Sequence, residues 1–167
     1  DPAQSAIREV TLSLDVPLVH LLETMFFERH PDRFEPVQAN VESCPLAFRW
    51  EDSLRLLDAQ TASPPHGTAE REVELGAPAM KTVAIHVQRM GAGFTSVEHR
   101  TTANAVFTVL EGAGSTRIGE QEFVWQRGDV LAVPAWQPYQ HRVTSAAHLV
   151  RVSDEPVMRA FDFLRSR

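Results

Sequence analysis

A chain of 167 residues with 43% apolar and 23% charged residues is long enough for one domain with a real core. Its formal net charge of -6, with no run or stripe of Lys and Arg, argues against nucleic acid as a partner. No apolar run approaches the ~18 residues of a membrane span, so no membrane role is expected.

The opening stretch DPAQSAIREV carries no signal-peptide pattern and no initiator Met, which fits a piece of something longer. The lone Cys44 offers no internal disulfide and no thiolate cluster, and it fits a reducing, cytoplasmic setting. DVPLVHLLETMFFERH sets Leu18, Leu21, Leu22, Met25 and Phe26 at helical spacing. Asp15 is its N-cap, Pro17 suits its first turn, and His30-Pro31-Asp32 stops it. WEDSLRLLDAQ is a second helix with Trp50, Leu54 and Leu57 on one stripe. TASPPHGTAE, with two prolines and a glycine, is a loop.

Near residue 70 the pattern changes to strands. KTVAIHVQRM alternates Val83, Ile85 and Val87 with Ala84, His86 and Gln88. ANAVFTVLEG is β-branched and apolar, and GAG at 112–114 reads as the hairpin turn that closes it. STRIG and QEFVWQ flank a turn at Gly119-Glu120, and DVLAVPAW carries Pro134 at its end, where a strand tolerates it. HRVTSAAHLVRVSD reads as two strands about a small-residue turn, and EPVMRAFDFLRSR as a terminal helix with Val157, Ala160, Phe161 and Leu164 in step. About seven short strands at regular spacing predict a mainly β sandwich or small barrel. The division is a helical arm and connector over 1–70 and a β-rich body with a C-terminal helix over 71–167.

Two blocks of the body carry a further signal. GFTSVEHRTTANAVFTVLEGAG and GDVLAVPAWQPYQH resemble the paired motifs of the cupin superfamily. The resemblance implies a cupin-type double-stranded β-barrel (jelly roll). In that family two His at i and i+2 share one strand face, and a Glu and a third His join them on neighbouring strands. Such a set binds a metal and leaves positions open for substrate and O₂. In this chain His99 takes the first His position and Thr101 the second. Ala105 takes the Glu position and Tyr139 the third His position, while Trp136 replaces a Gly. Thr ligates transition metals poorly, and Ala cannot ligate at all.

A closer resemblance spans nearly the whole chain. DVPLVHLLETMFFERHPDRFEPV, CPLAFRWEDSLRLL, the VPAW stretch and SDEPV resemble the C-terminal half of gentisate 1,2-dioxygenase, a two-cupin ring-cleaving enzyme. The resemblance implies Fe(II) held by three His in the other, N-terminal barrel, and no cofactor in this chain. It also implies that this half builds the fold and a homo-oligomer, for which the apolar helix Leu18–Phe27 is suited. No catalytic residue can be placed here. The candidate cavity-lining residues are His99, Thr101, Tyr139 and His141.

Two other readings stay open. A stand-alone cupin would bind metal through His99 and His141. His141 lies one same-face step beyond Tyr139, roughly 6–7 Å along the strand, so a bulge would have to bring it to His99. A non-enzymatic binder of small aromatic acids would use Phe107, Trp125 and Trp136, which otherwise read as core. His86 reads as an exposed strand His that could instead face the cavity. His148 reads as a buried structural His. His20, His30 and His66 carry no signal, and Arg100 and Arg142 read as outward charges.

Overall fold

The computed structural model describes residues 47–61, 63–64, 66–76 and 81–167. The Leu18–Phe27 helix, Cys44, His20 and His30 lie outside them. The described elements are α1 (Trp50–Ala59), β1 (Arg71–Leu75), β2 (Ala84–Met90), β3 (Ala105–Ile118), β4 (Gln121–Gln126), β5 (Val130–Val133), β6 (Tyr139–Ser153) and α2 (Glu155–Ala160). The strands form one antiparallel sheet in the order β1-β2-β6-β3-β4, with β5 paired to the first half of β3. It is the cupin barrel fold. Among the described residues no helix is long and apolar enough to cross a membrane.

Two strands are longer than their sequences predict. GAG at 112–114 is not a hairpin turn, and SAA at 145–147 is not a turn between two strands. β3 and β6 run straight through both and pair along their whole length, with register shifts between Val109 and Gly114. The reason lies in the backbones, which press together there. A Cβ on Gly112 would meet Ala146 O at 2.4 Å, and one on Gly114 would meet Arg142 O at 2.3 Å. Glycine permits that approach, and the bulges bend both strands around the barrel. The hairpin at Gly119-Glu120 joins β3 to β4 as expected, with Gly119 at φ 58°.

The main core fills the barrel. Met90, Phe107, Val109, Trp125, Leu131, Val143 and Leu149 form it. A second apolar layer lies outside the sheet under α1, where Leu57 meets Val73, Leu75 and Val87, and Trp50 and Leu54 pack at its rim. Leu57 is fully buried, which stabilises the docked helix by roughly 1.5–3 kcal/mol. Arg71 secures the helix end, donating from one guanidinium nitrogen to Leu57 O at 3.2 Å and Asp58 O at 3.0 Å.

The C-terminal helix is shorter than its apolar spacing suggests. It stops at Ala160, and Asp162 turns left-handed at φ 56°. The tail then pairs as an extended chain. Arg100 and Arg167 exchange backbone hydrogen bonds, and Thr102 N donates to Arg165 O. Those pairings satisfy backbone groups that a longer helix would leave at the open barrel end.

Candidate functional site

The two motif blocks meet edge to edge. His99 N donates to Tyr139 O at 2.9 Å, and Tyr139 N returns to His99 O at 2.8 Å. Next to them Ser96 N donates to His141 O, and His141 N donates to Ser96 Oγ. This pairing brings three of the four residues singled out in the sequence, His99, Tyr139 and His141, to one wall, and Thr101 follows two residues after His99. All are buried: His99 at 7%, Thr101 at 8%, Tyr139 at 3% and His141 at 0% exposure.

Tyr139 and His141 share the inward face of β6, as their spacing requires, with ring centroids 5.3 Å apart. The Tyr139 ring also meets His99 edge-on at 5.8 Å and Phe107 at 5.5 Å. Burial pushes the Tyr139 phenol up to about 12, so it stays protonated near neutral pH.

His141 is committed to a hydrogen-bond chain. Trp125 Nε1 donates to Thr116 Oγ1 at 2.8 Å, and that hydroxyl lies 2.7 Å from His141 Nδ1. The hydroxyl can donate to Nδ1 or accept from it, and His141 Nε2 is buried with no partner among the described residues. Burial holds its pKa down to about 4.

His99 has a neighbour that sequence spacing did not mark. His66, on the turn before β1, stacks on it at 4.7 Å with planes 27° apart. Burial is the main cause that lowers the His99 pKa, and the charge of His66 acts in the same direction. Thr101 accepts from Ala103 N through its hydroxyl at 3.3 Å. Among the described residues no three of His, Cys, Asp and Glu are arranged to hold a metal ion. An iron site of the three-His kind does not fit this wall. Its ligand positions hold one imidazole, an alcohol and a protonated phenol, and the nearby second imidazole has its Nδ1 2.7 Å from the Thr116 hydroxyl.

Trp136 keeps the backbone of the glycine it replaces. Its φ is 65°, a left-handed conformation that a bulky residue rarely adopts. Its N–H donates to Thr101 O at 2.6 Å, and the Arg100 guanidinium lies 4.9 Å above its ring. The ring is 41% exposed, so Trp136 is not a core residue, while Trp125 and Phe107 are. Asn104 joins the VPAW stretch to SDEPV. It donates from its backbone and side chain to the Asp154 carboxylate, and its Oδ1 accepts from Ala135 N.

Two other histidines move from their expected places. His86 is buried on the inward face of β2, not exposed, because β2 is covered on both faces, outside by α1 and inside by the barrel. His148 is half-buried on the outer face, donating to Glu111 Oε2 at 3.0 Å and packing edge-on against Trp50 at 5.2 Å. Arg142 is exposed, as expected.

The fold is the cupin fold, and the cupin domain model matches residues 86–153. Over nearly its whole length the chain is homologous to the C-terminal half of gentisate 1,2-dioxygenases. It is 28% identical to gentisate 1,2-dioxygenase 1 of Aquipseudomonas alcaligenes, over 91% of this chain and 52% of the relative. It is 30% identical to gentisate 1,2-dioxygenase of a Streptomyces species, over 92% and 52%. The crystal structure of salicylate 1,2-dioxygenase from Pseudaminobacter salicylatoxidans superposes with a TM-score of 0.75 at 25% identity, covering 92% of this chain and 53% of that one. The chain thus spans about half the length of these relatives.

Proposed function

We propose that this chain is the C-terminal, metal-free barrel of a two-cupin dioxygenase of the gentisate class. In that assembly the N-terminal barrel holds Fe(II) and carries out O₂-dependent ring cleavage of a dihydroxybenzoate. Residues 1–70 supply the arm and connector to that barrel, with α1 and His66 packed on the body that residues 71–167 form. The setting is the cytoplasm. This half acts as scaffold and subunit contact.

One observation carries the reading. The wall where a metal cupin places its ligands is closed by side chains that hold one another: His141 on Thr116 and Trp125, Tyr139 wedged between His99, Phe107 and His141, and His66 over His99. Such a wall supports a fold and leaves no set of lone pairs converging on an ion.

The contact role is supported by exposed aromatics. Phe161 and Phe163 are 65% and 62% exposed and stacked at 6.0 Å, and Trp136 lies near the same tail. Aromatic side chains of this kind are enriched in subunit interfaces. Light scattering of the chain at high concentration is expected to return a mass above that of one protomer. A strictly monomeric mass at every concentration contradicts the subunit-contact role.

A further inference from the structure

The barrel holds a second polar cluster on the inward faces of β1, β2 and β6. Register builds it: Glu72 lies opposite Gln88, Glu74 opposite His86, His86 opposite Arg151, and Ala84 opposite Ser153. Arg151 donates from one terminal nitrogen to Glu72 Oε1 at 3.3 Å, and its other lies 3.7 Å from Glu155 Oε2. Gln88 Nε2 donates to Glu72 Oε2. His86 Nε2 lies 3.9 Å from both Glu72 Oε1 and Glu74 Oε2.

Two features of this wall are unmet. The first is charge. Three carboxylates face one guanidinium, with Glu72 and Glu155 half-buried and Glu74 exposed at the rim, so the wall carries an excess of negative charge. The second is hydrogen bonding. His86 Nδ1, Gln88 Oε1, Arg151 Nε and Ser153 Oγ are buried with no partner. The residues His86, Gln88 and Ser153 are exposed by only 8%, 0% and 4%.

Two of those four atoms are acceptors. Gln88 Oε1 is one, because the amide nitrogen is the end that donates to Glu72. His86 Nδ1 is the other, because the ring proton is best placed on Nε2, facing two carboxylate oxygens. Burial and Arg151 lower the His86 pKa against the pull of Glu72 and Glu74, so the ring is neutral near pH 7. A buried acceptor calls for a donor, and the half-buried carboxylate of Glu72 favours a positive charge beside it.

We propose that this wall binds a small primary ammonium compound, with its charged amine set among Glu72, Glu74, Gln88 and His86. An ammonium supplies three donors and one positive charge, which matches the two acceptors and the excess carboxylate, while Arg151 Nε, itself a donor, is left unmet by it. An anion would face the excess carboxylates. Water would satisfy the acceptors and leave the charge unbalanced. The site is independent of the dioxygenase reading, since it uses none of the His99–Tyr139–His141 wall.

The probe is ethylammonium chloride, exchanged against sodium chloride at constant ionic strength at pH 7.5. The His86 imidazole ¹⁵N resonances are expected to shift saturably, and Tm is expected to rise with ethylammonium and not with sodium. Glu74→Gln, at a half-exposed side chain on the rim, should weaken binding by about tenfold through loss of one charge-assisted hydrogen bond. Glu120→Gln, on the exposed β3–β4 turn, should leave it unchanged. The proposal is overturned if the wild type shows no saturable shift, if sodium chloride reproduces the shift, or if Glu74→Gln binds as tightly as wild type.

Discussion

Gly114→Ala is expected to destabilise the fold by about 3 kcal/mol or more, at the upper end of over-packing substitutions. A Cβ there would lie 2.3 Å from Arg142 O and 2.7 Å from two atoms of the Trp125 ring. Neither neighbour can give way cheaply. Arg142 O belongs to the β6 backbone paired with β3, and the Trp125 ring is 1% exposed with its indole N–H committed to Thr116. Gly93→Ala is the control. Its φ of 82° meets open space, so it carries only left-handed strain, about 1–2 kcal/mol. Urea unfolding at unchanged m separates the two. A loss below about 1 kcal/mol at Gly114 would contradict the close approach of β3 and β6.

The second large effect is acid sensitivity from His141. Its pKa is 6.5 in an unfolded chain and falls to about 4 in the buried site. Above pH 6.5 the ring is neutral in both states and adds no pH dependence. As pH falls below 6.5 the unfolded chain takes up a proton that the folded protein refuses, so the unfolded state gains. The loss grows by about 1.4 kcal/mol per pH unit and levels off near pH 4, reaching about 3 kcal/mol. The pKa values of His86 and His99 are lowered as well, and their contributions have the same sign. His141→Asn removes the titration and keeps a hydrogen-bonding group where Nδ1 meets Thr116. Its urea midpoint should fall less steeply than that of wild type between pH 6.5 and 4. Equal slopes would mean that His141 is not buried as neutral imidazole.

The barrel was legible because its signals are local. Gly93, Gly112, Gly128 and Pro134 stand at motif spacing, and the hairpin at Gly119 follows turn chemistry. The helix stripe Trp50, Leu54 and Leu57 follows helical periodicity and packs as read. The errors come from contacts between distant parts of the chain. Gly112 and Gly114 look like a turn in sequence, yet each exists to admit the backbone of β6. His86 looked exposed because β2 alternates, but the sheet is covered on both faces there, inside by the barrel and outside by α1. His66 reaches His99 across 33 residues of chain, and no spacing rule marks it. The inner cluster did leave a trace. Glu72 and Glu74 alternate on one strand and His86 and Gln88 on another, so polar residues occupy a face that a barrel would otherwise fill with apolar ones.

This barrel is expected not to hold the iron. The direct measurement is the iron content of the purified chain after growth with added iron and anaerobic incubation with Fe(II). Iron far below one atom per chain is expected, unchanged in His99→Ala. Stoichiometric iron in the wild type that is lost in His99→Ala would contradict it and place the metal chemistry in this half.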